Sequence, residues 1–265
     1  MMIRYWWVAT RAALRAEAQY RANFVVSVIA SLCYQGVGLA SIGVVLATFE
    51  TLGGWTLPEV AFLYALRLTA HGLWVVPFSQ LLVIDQIVRE GHFDRFLVRP
   101  GNPLVHLMTH RAALTPVGDL LGGVALLAAV MTAVPVAWSP FTILYLIAAV
   151  VGGALTELAL QLAVSSLAFR TLSSQALRVT IDTIFGTFGN YPLKIFSAAA
   201  RFALTFLLPM AFVAYLPGAV LLDKTGDLHV PAALAFAAPA VGLVLLAGAY
   251  AIWHRQLRHY QSTGQ

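Results

Sequence analysis

Ionisable residues stand within long apolar runs, among them Arg67, His71, Glu157 and Asp182. A charge held in lipid is expensive, so each is a candidate for a structural pair or a transport pathway. Arg67 and His71 are four residues apart and share one helix face. Glu157 lies midway along a second run and Asp182 near the start of a third. Arg67 and Glu157 have opposite charge, yet their places along their runs put them roughly 10 Å apart in depth at 1.5 Å per residue. Two readings stay open. One is a structural ion pair, or helix-end charges reaching the interface. The other is a direct role in transport, with Arg67, Glu157 and Asp182 as an ion relay.

Other chemistry is missing from the sequence. Lys194 and Lys224 are the only lysines and neither follows a glycine, so a phosphate-cradling G-x-x-x-x-G-K-[ST] loop is impossible. H-E-x-x-H, C-x-x-C and G-x-S-x-G do not occur. Cys33 is the single cysteine, which excludes an intrachain disulfide. His106 and His110 have the i, i+4 spacing of a metal pair but no carboxylate near them in sequence. No metal site is predicted, and a membrane-embedded enzyme lacks a catalytic cluster.

The elements that hold these residues follow from composition. Of 265 residues, 60% are hydrophobic and 10% charged, against roughly 25% charged in soluble domains. Apolar runs beyond 18 residues recur, which predicts an all-α integral membrane protein. The first run begins near Phe24 and continues for about 25 residues. That exceeds the roughly 7–15 residues of a signal-peptide core, so this run is expected to persist as a span. Six spans are predicted, at 24–48, 58–84, 112–134, 141–169, 179–190 and 229–253. Trp55 is expected as an interface anchor after the first, and Pro58 suits the first turn of the second. Gly118 and Gly122, and Gly36, Ala40 and Gly43, are small-residue faces suited to close helix packing.

Three segments are unusual. Residues 2–21 place Arg4, Arg11, Arg15 and Gln19 on one face, opposite Trp6, Ala13 and Tyr20, as an interfacial amphipathic helix would. Residues 86–99 mix charge with apolar side chains and end at Pro100-Gly101, which predicts a short amphipathic helix. Residues 191–222 are apolar but broken by Pro192, Pro209 and Pro217, and carry Lys194 and Arg201. A re-entrant helical hairpin fits them better than a lipid-facing crossing.

Charge agrees with that layout. With the N-terminus cytoplasmic, the inner side holds Arg4, Arg11, Arg15, Arg21, Arg89, Arg95, Arg99, Arg111, Arg170, Arg178, Arg255 and Arg258. The outer side holds only Lys194, Arg201 and Lys224. This is a positive-inside pattern with both termini cytoplasmic. The net charge of +5 reflects this bias, and no nucleic-acid partner is expected.

The run Gly91-His92-Phe93-Asp94-Arg95-Phe96-Leu97-Val98-Arg99-Pro100-Gly101-Asn102-Pro103-Leu104 resembles a pattern of the ABC type-2 exporter family, in its subgroup of six-helix permease subunits of about 260 residues. Gly53-Gly54-Trp55 and Tyr191-Pro192-Leu193 are weaker matches, and the order of features is similar over nearly the whole length. The resemblance implies a permease in the cell membrane, paired with an identical or related permease and with two copies of a separate ABC ATPase. ATP and Mg would be bound by that partner and no cofactor by this chain. It implies that 86–99 is a coupling helix docking on the ATPase, with Phe93, Phe96 and Leu97 as its apolar face and Arg89, Asp94, Arg95 and Arg99 setting register, between Gly91 and Pro100. It further implies that 191–222, with Tyr191, Pro192, Arg201 and Pro209, caps the pathway from outside. The expected cargo is hydrophobic or amphipathic. The alternative is a stand-alone secondary transporter using the Arg67, Glu157 and Asp182 relay.

Overall fold

The computed structural model describes residues 21–48, 51–110, 116–171 and 173–262. The expected interfacial helix at 2–21 lies outside these apart from Arg21, as does Arg111. The described residues form helices and turns, with no β-strand among them.

Helix α1 is Arg21–Thr48. Gly53 and Gly54 both adopt positive φ, 62° and 87°, and turn the chain into α2, Leu57–Phe78. The Glu59 carboxylate accepts the Thr56 backbone N–H at 2.7 Å, satisfying a donor that the helix start leaves open. A tight turn over Ser79–Val83 leads into α3, Ile84–Arg89. Gly91, at φ 68°, then reverses the chain into α4, Asp94–Leu97. The single helix expected over 86–99 is therefore two short helices, because Gly91 takes a left-handed conformation that interrupts the hydrogen-bond ladder. Asn102 caps α5, Pro103–Met108, by accepting the Leu104 N–H at 2.9 Å.

Helix α6 is Val117–Val130 and α7 is Pro140–Ser165. Ser139 and Thr142 satisfy each other's backbone N–H groups at the start of α7, with Pro140 in its first turn. Then follow α8 (Ala168–Thr171), α9 (Gln175–Phe188) and α10 (Ala198–Phe202), which runs on as one wider turn to Leu207. At Pro209 the path bends by 76° toward Met210–Leu221, whose last seven residues form α11, Tyr215–Leu221. Two further helices, α12 (Ala232–Phe236) and α13 (Ala238–Leu257), lie where one span over 229–253 was expected.

Among the described residues, Leu57–Arg89 and Pro140–Thr171 are long and apolar enough to cross a membrane, and the bent pair Ala198–Leu207 with Met210–Leu221 is a third if counted as one. Helix α2 packs between α6 and α7, α13 packs on α7, and α1 on α6. Glycine sets the closest approaches. A Cβ on Gly72 would fall 2.5 Å from Leu120 Cα, and one on Gly123 would fall 2.7 Å from the Thr69 nitrogen, so α2 and α6 touch backbone to backbone. Gly118 and Gly122 face α1, at Ser31 and Leu32. A Cβ on Gly36 or Gly43 would meet no neighbour among the described residues, so these do not show the close packing expected at those positions of α1.

Trp55 is not a surface anchor. It is fully buried, 5.7 Å from the Tyr215 ring and capped by Lys224 Nζ at 5.0 Å. Lys224 also donates to the Gly54 carbonyl and the Glu59 carboxylate, each at 2.8 Å. The loop before α2 is thereby tied to the turn after α11.

Candidate functional site

Glu157 is the hub of the polar residues inside the bundle. It is buried on α7, and its Oε2 lies 2.8 Å from His71 Nδ1 and accepts the Trp74 Nε1–H at 2.8 Å. Its Oε1 makes no hydrogen bond and sits 3.6 Å from Arg67 Nε. Arg67 and His71, one turn apart on α2, thus meet one carboxylate, as their shared face predicts. The depth offset between Arg67 and Glu157 does not keep them apart. Asp182 does not join them. It is exposed on α9, and no basic group among the described residues lies within ion-pairing distance.

A cavity of about 470 Å³ is lined by Arg67, His71 and Asp182, with Glu157 behind the first two. Its wall takes Tyr34 and Gln35 from α1, Tyr64, Arg67 and His71 from α2, Asp119 from α6, and Asp182 with Thr183, Thr187 and Asn190 from α9 and its end. Asp119 accepts from Ser31 Oγ at 2.5 Å and Gln35 Nε2 at 2.8 Å. Tyr64 donates its hydroxyl to Gln35 Oε1 at 2.6 Å. The wall of a bundle otherwise built from Leu, Val, Ala and Phe is therefore a hydrogen-bonded polar surface.

Gln35, Tyr64, Trp74 and Asp119 were not anticipated as site residues. Asp119 had the same signal as Glu157, a carboxylate inside an apolar run. The positions 182, 183, 186, 187 and 190 follow helical spacing, so a polar stripe on α9 was readable as well. Gln35 and Tyr64 carry no such mark, because neutral polar groups inside spans become informative only when the helices are placed side by side.

The segment expected to dock a partner is arranged differently from its sequence reading. Phe93 and Phe96 are fully buried and cannot supply an outward apolar face. Phe93 packs on Phe169 at 4.8 Å, Tyr260 at 5.2 Å and Trp253 at 6.5 Å. These rings come from α8, α13 and the chain after it, and with them Phe93 is fully covered within the chain itself. Gln86, Arg89, Glu90, His92, Leu97, Val98, Arg99 and Pro100 are the exposed members. Arg95 donates to His110 Nε2 at 2.8 Å and lies over the Phe96 ring at 5.0 Å. His106 Nε2 lies instead 3.2 Å from the Pro100 carbonyl, so the two imidazoles face different partners. Asp94 accepts from Tyr260 at 2.7 Å and Ser262 at 2.6 Å. These two hydroxyls hold its carboxyl below the ordinary aspartate range, because they favour the charged form.

Behind this segment Asp85 and Arg178 form a buried ion pair at 2.5 Å, joined by the Ser174 hydroxyl at 2.9 Å and the Ser174 backbone N–H. On the 191–222 stretch, Pro192 opens a short turn, Tyr191 is half-buried beside it, Arg201 lies in the last turn of α10, and Pro209 marks the bend. Thr205 Oγ1 and His229 Nε2 are 2.9 Å apart.

Long apolar helices beside a charged cavity fit a membrane protein with a polar pathway. The chain is a member of the ABC-2 family transporter proteins, whose family model matches residues 32–264. No curated protein and no solved structure gives a significant match.

Proposed function

We propose that the chain is the membrane-spanning permease subunit of an ATP-driven exporter in the cell membrane. It crosses six times with both termini cytoplasmic, and its 191–222 stretch is re-entrant from the outer side. It works with a second permease subunit, identical or related, and with two copies of a separate ATPase that binds ATP and Mg. The observation that carries this reading is membership of the ABC-2 transporter family together with a polar cavity walled by α1, α2, α6 and α9. The missing phosphate loop supports a motor on another chain.

The surface offered to that motor is the outward side of residues 89–100. Val98 is 82% exposed, with Leu97 exposed beside it, and gives this side an apolar point of contact. Arg89 and Arg99 flank it, and Phe93 fixes the segment to the bundle from behind. A push on this surface therefore reaches the spans through packed rings rather than through a loop.

Val98→Asp and Arg99→Glu test the reading, since both alter only exposed atoms. The expected result is normal membrane insertion of the full chain, loss of ATPase co-purification and loss of nucleotide-dependent export. Unchanged co-purification with both variants overturns it. Phe93→Asp would be a poor test, because it buries a charge in the chain's own core.

A further inference from the structure

The cavity has an excess of acid over base. Arg67 is matched by Glu157 at 3.6 Å, and that carboxylate also takes up His71 and Trp74. Asp119 and Asp182 then remain in the wall with no basic partner among the described residues. Even with His71 protonated, the balance stays negative.

The hydrogen-bonding capacity leans the same way. Tyr64 gives its hydroxyl proton to Gln35, and Gln35 gives its amide proton to Asp119. Thr183 donates to the Val179 carbonyl at 2.8 Å, and Asn190 Nδ2 donates to the Gly186 carbonyl at 2.5 Å. Each of these groups places one donor within the chain, while oxygen lone pairs remain on them. Asn190 Oδ1 is buried with no partner, and a buried acceptor left so costs about 1–3 kcal/mol. Arg67 is the charged donor of the wall and faces Glu157 at 3.6 Å, whereas Asp119 and Asp182 have no such counterpart among the described residues. The volume of about 470 Å³ is that of a small-molecule site, and the Tyr34 and Tyr64 rings add faces that attract cations.

We propose that this cavity binds the protonated amine of an amphiphilic cargo, with Asp182 and Asp119 as charge partners and Asn190 Oδ1 as an N–H acceptor. The assignment rests on the permease reading and names the cargo class of the same site.

The test uses the full chain in nanodiscs of zwitterionic lipid at pH 7, without nucleotide or ATPase. The probes are a dansyl-labelled dodecyl primary amine and the matching carboxylate, each read against empty nanodiscs. The expected result is saturable binding of the amine and at least tenfold weaker binding of the carboxylate. Asp182→Asn should weaken amine binding at least tenfold, and Asp182→Glu should retain it. Size-exclusion behaviour of each variant checks folding, and the comparison of amine with carboxylate needs no variant. Equal or tighter binding of the carboxylate, no saturable amine binding, or a folded Asp182→Asn with unchanged affinity each overturns the proposal. Because no ATPase is present, amine binding can succeed where the motor partnership fails. Conversely, ATP-dependent export of an anionic cargo would remove the amine assignment alone.

Discussion

Glu157→Gln should destabilise the bundle by about 3–5 kcal/mol, the usual result of leaving a buried charge without its partner. The size follows from the geometry. At the 3.6 Å separation of Arg67 Nε from Glu157 Oε1, an effective dielectric of about 20 gives roughly 5 kcal/mol of attraction. Glutamine keeps an acceptor for Trp74 and His71 but leaves the Arg67 guanidinium, itself buried, unneutralised. Thermal unfolding of the full chain in nanodiscs, followed by the signal of its tryptophans, should show a midpoint lower by on the order of 10 °C. Adding Arg67→Met should recover most of the loss, since replacing both members of a buried pair by apolar groups is near neutral or favourable. A single variant costing under about 1 kcal/mol, or a double variant no more stable than the single, would refute the electrostatic account. The double variant also separates the two roles left open by the sequence. If it is stable and still exports, the pair is structural. If it is stable but inactive, and the unaltered chain moves cargo on a proton gradient without nucleotide, the relay reading replaces the ATP-driven one.

Two further predictions concern packing and pH. Gly152→Ala should cost about 1–3 kcal/mol or more, because its Cβ would run into Pro239 Cα and stand 2.6 Å from the Pro239 carbonyl oxygen, whereas Gly36→Ala, with open space around it, should leave the unfolding midpoint unchanged or slightly raised. The tail contact at Asp94 should depend on acid: its carboxyl is held low by Tyr260 and Ser262, so the stabilisation is complete above the ordinary aspartate value of about 4 and is lost as pH falls through the lower folded value. Hydrogen exchange of residues 258–262, corrected for intrinsic rates, should accelerate in that window in the unaltered chain, and Asp94→Asn should remove the step.

The apolar runs made the class of fold legible, because lipid demands long helices and leaves little room for charge. The turn residues were legible for a similar reason: Gly53, Gly54 and Pro209 act locally, and each marks a real break. Side-chain partners were less accessible. Arg67 and Glu157 are 90 positions apart, and their contact depends on how α2 and α7 slide against each other, which no periodicity encodes. Phe93 was misread because an aromatic residue among charges looks like half of an amphipathic surface. Its burial is set by Phe169, Trp253 and Tyr260, which arrive from remote parts of the chain. The cavity escaped for the complementary reason. Gln35 and Tyr64 are unremarkable in their own helices and become a polar wall only beside Asp119.

On the proposed reading, motion at residues 84–99 has a short physical route to the cavity. Asp85 stands in the first turn of α3, and Arg178 in the first turn of α9. Their buried contact, reinforced by Ser174, ties the two helix starts together. Asp182 lies one turn beyond Arg178 on α9, so a displacement of α3 that this pair transmits rotates or shifts a wall of the cavity itself. Phe93 braces the same segment against α8 and α13, which leaves α3 and α4 little freedom to move apart from the bundle. On that reading the bound helix starts and the braced turn would carry Asp182, the carboxylate assigned to the cargo, along with the segment. Release of a cation would then follow from moving Asp182 relative to Asp119, with no change of protonation needed at either group.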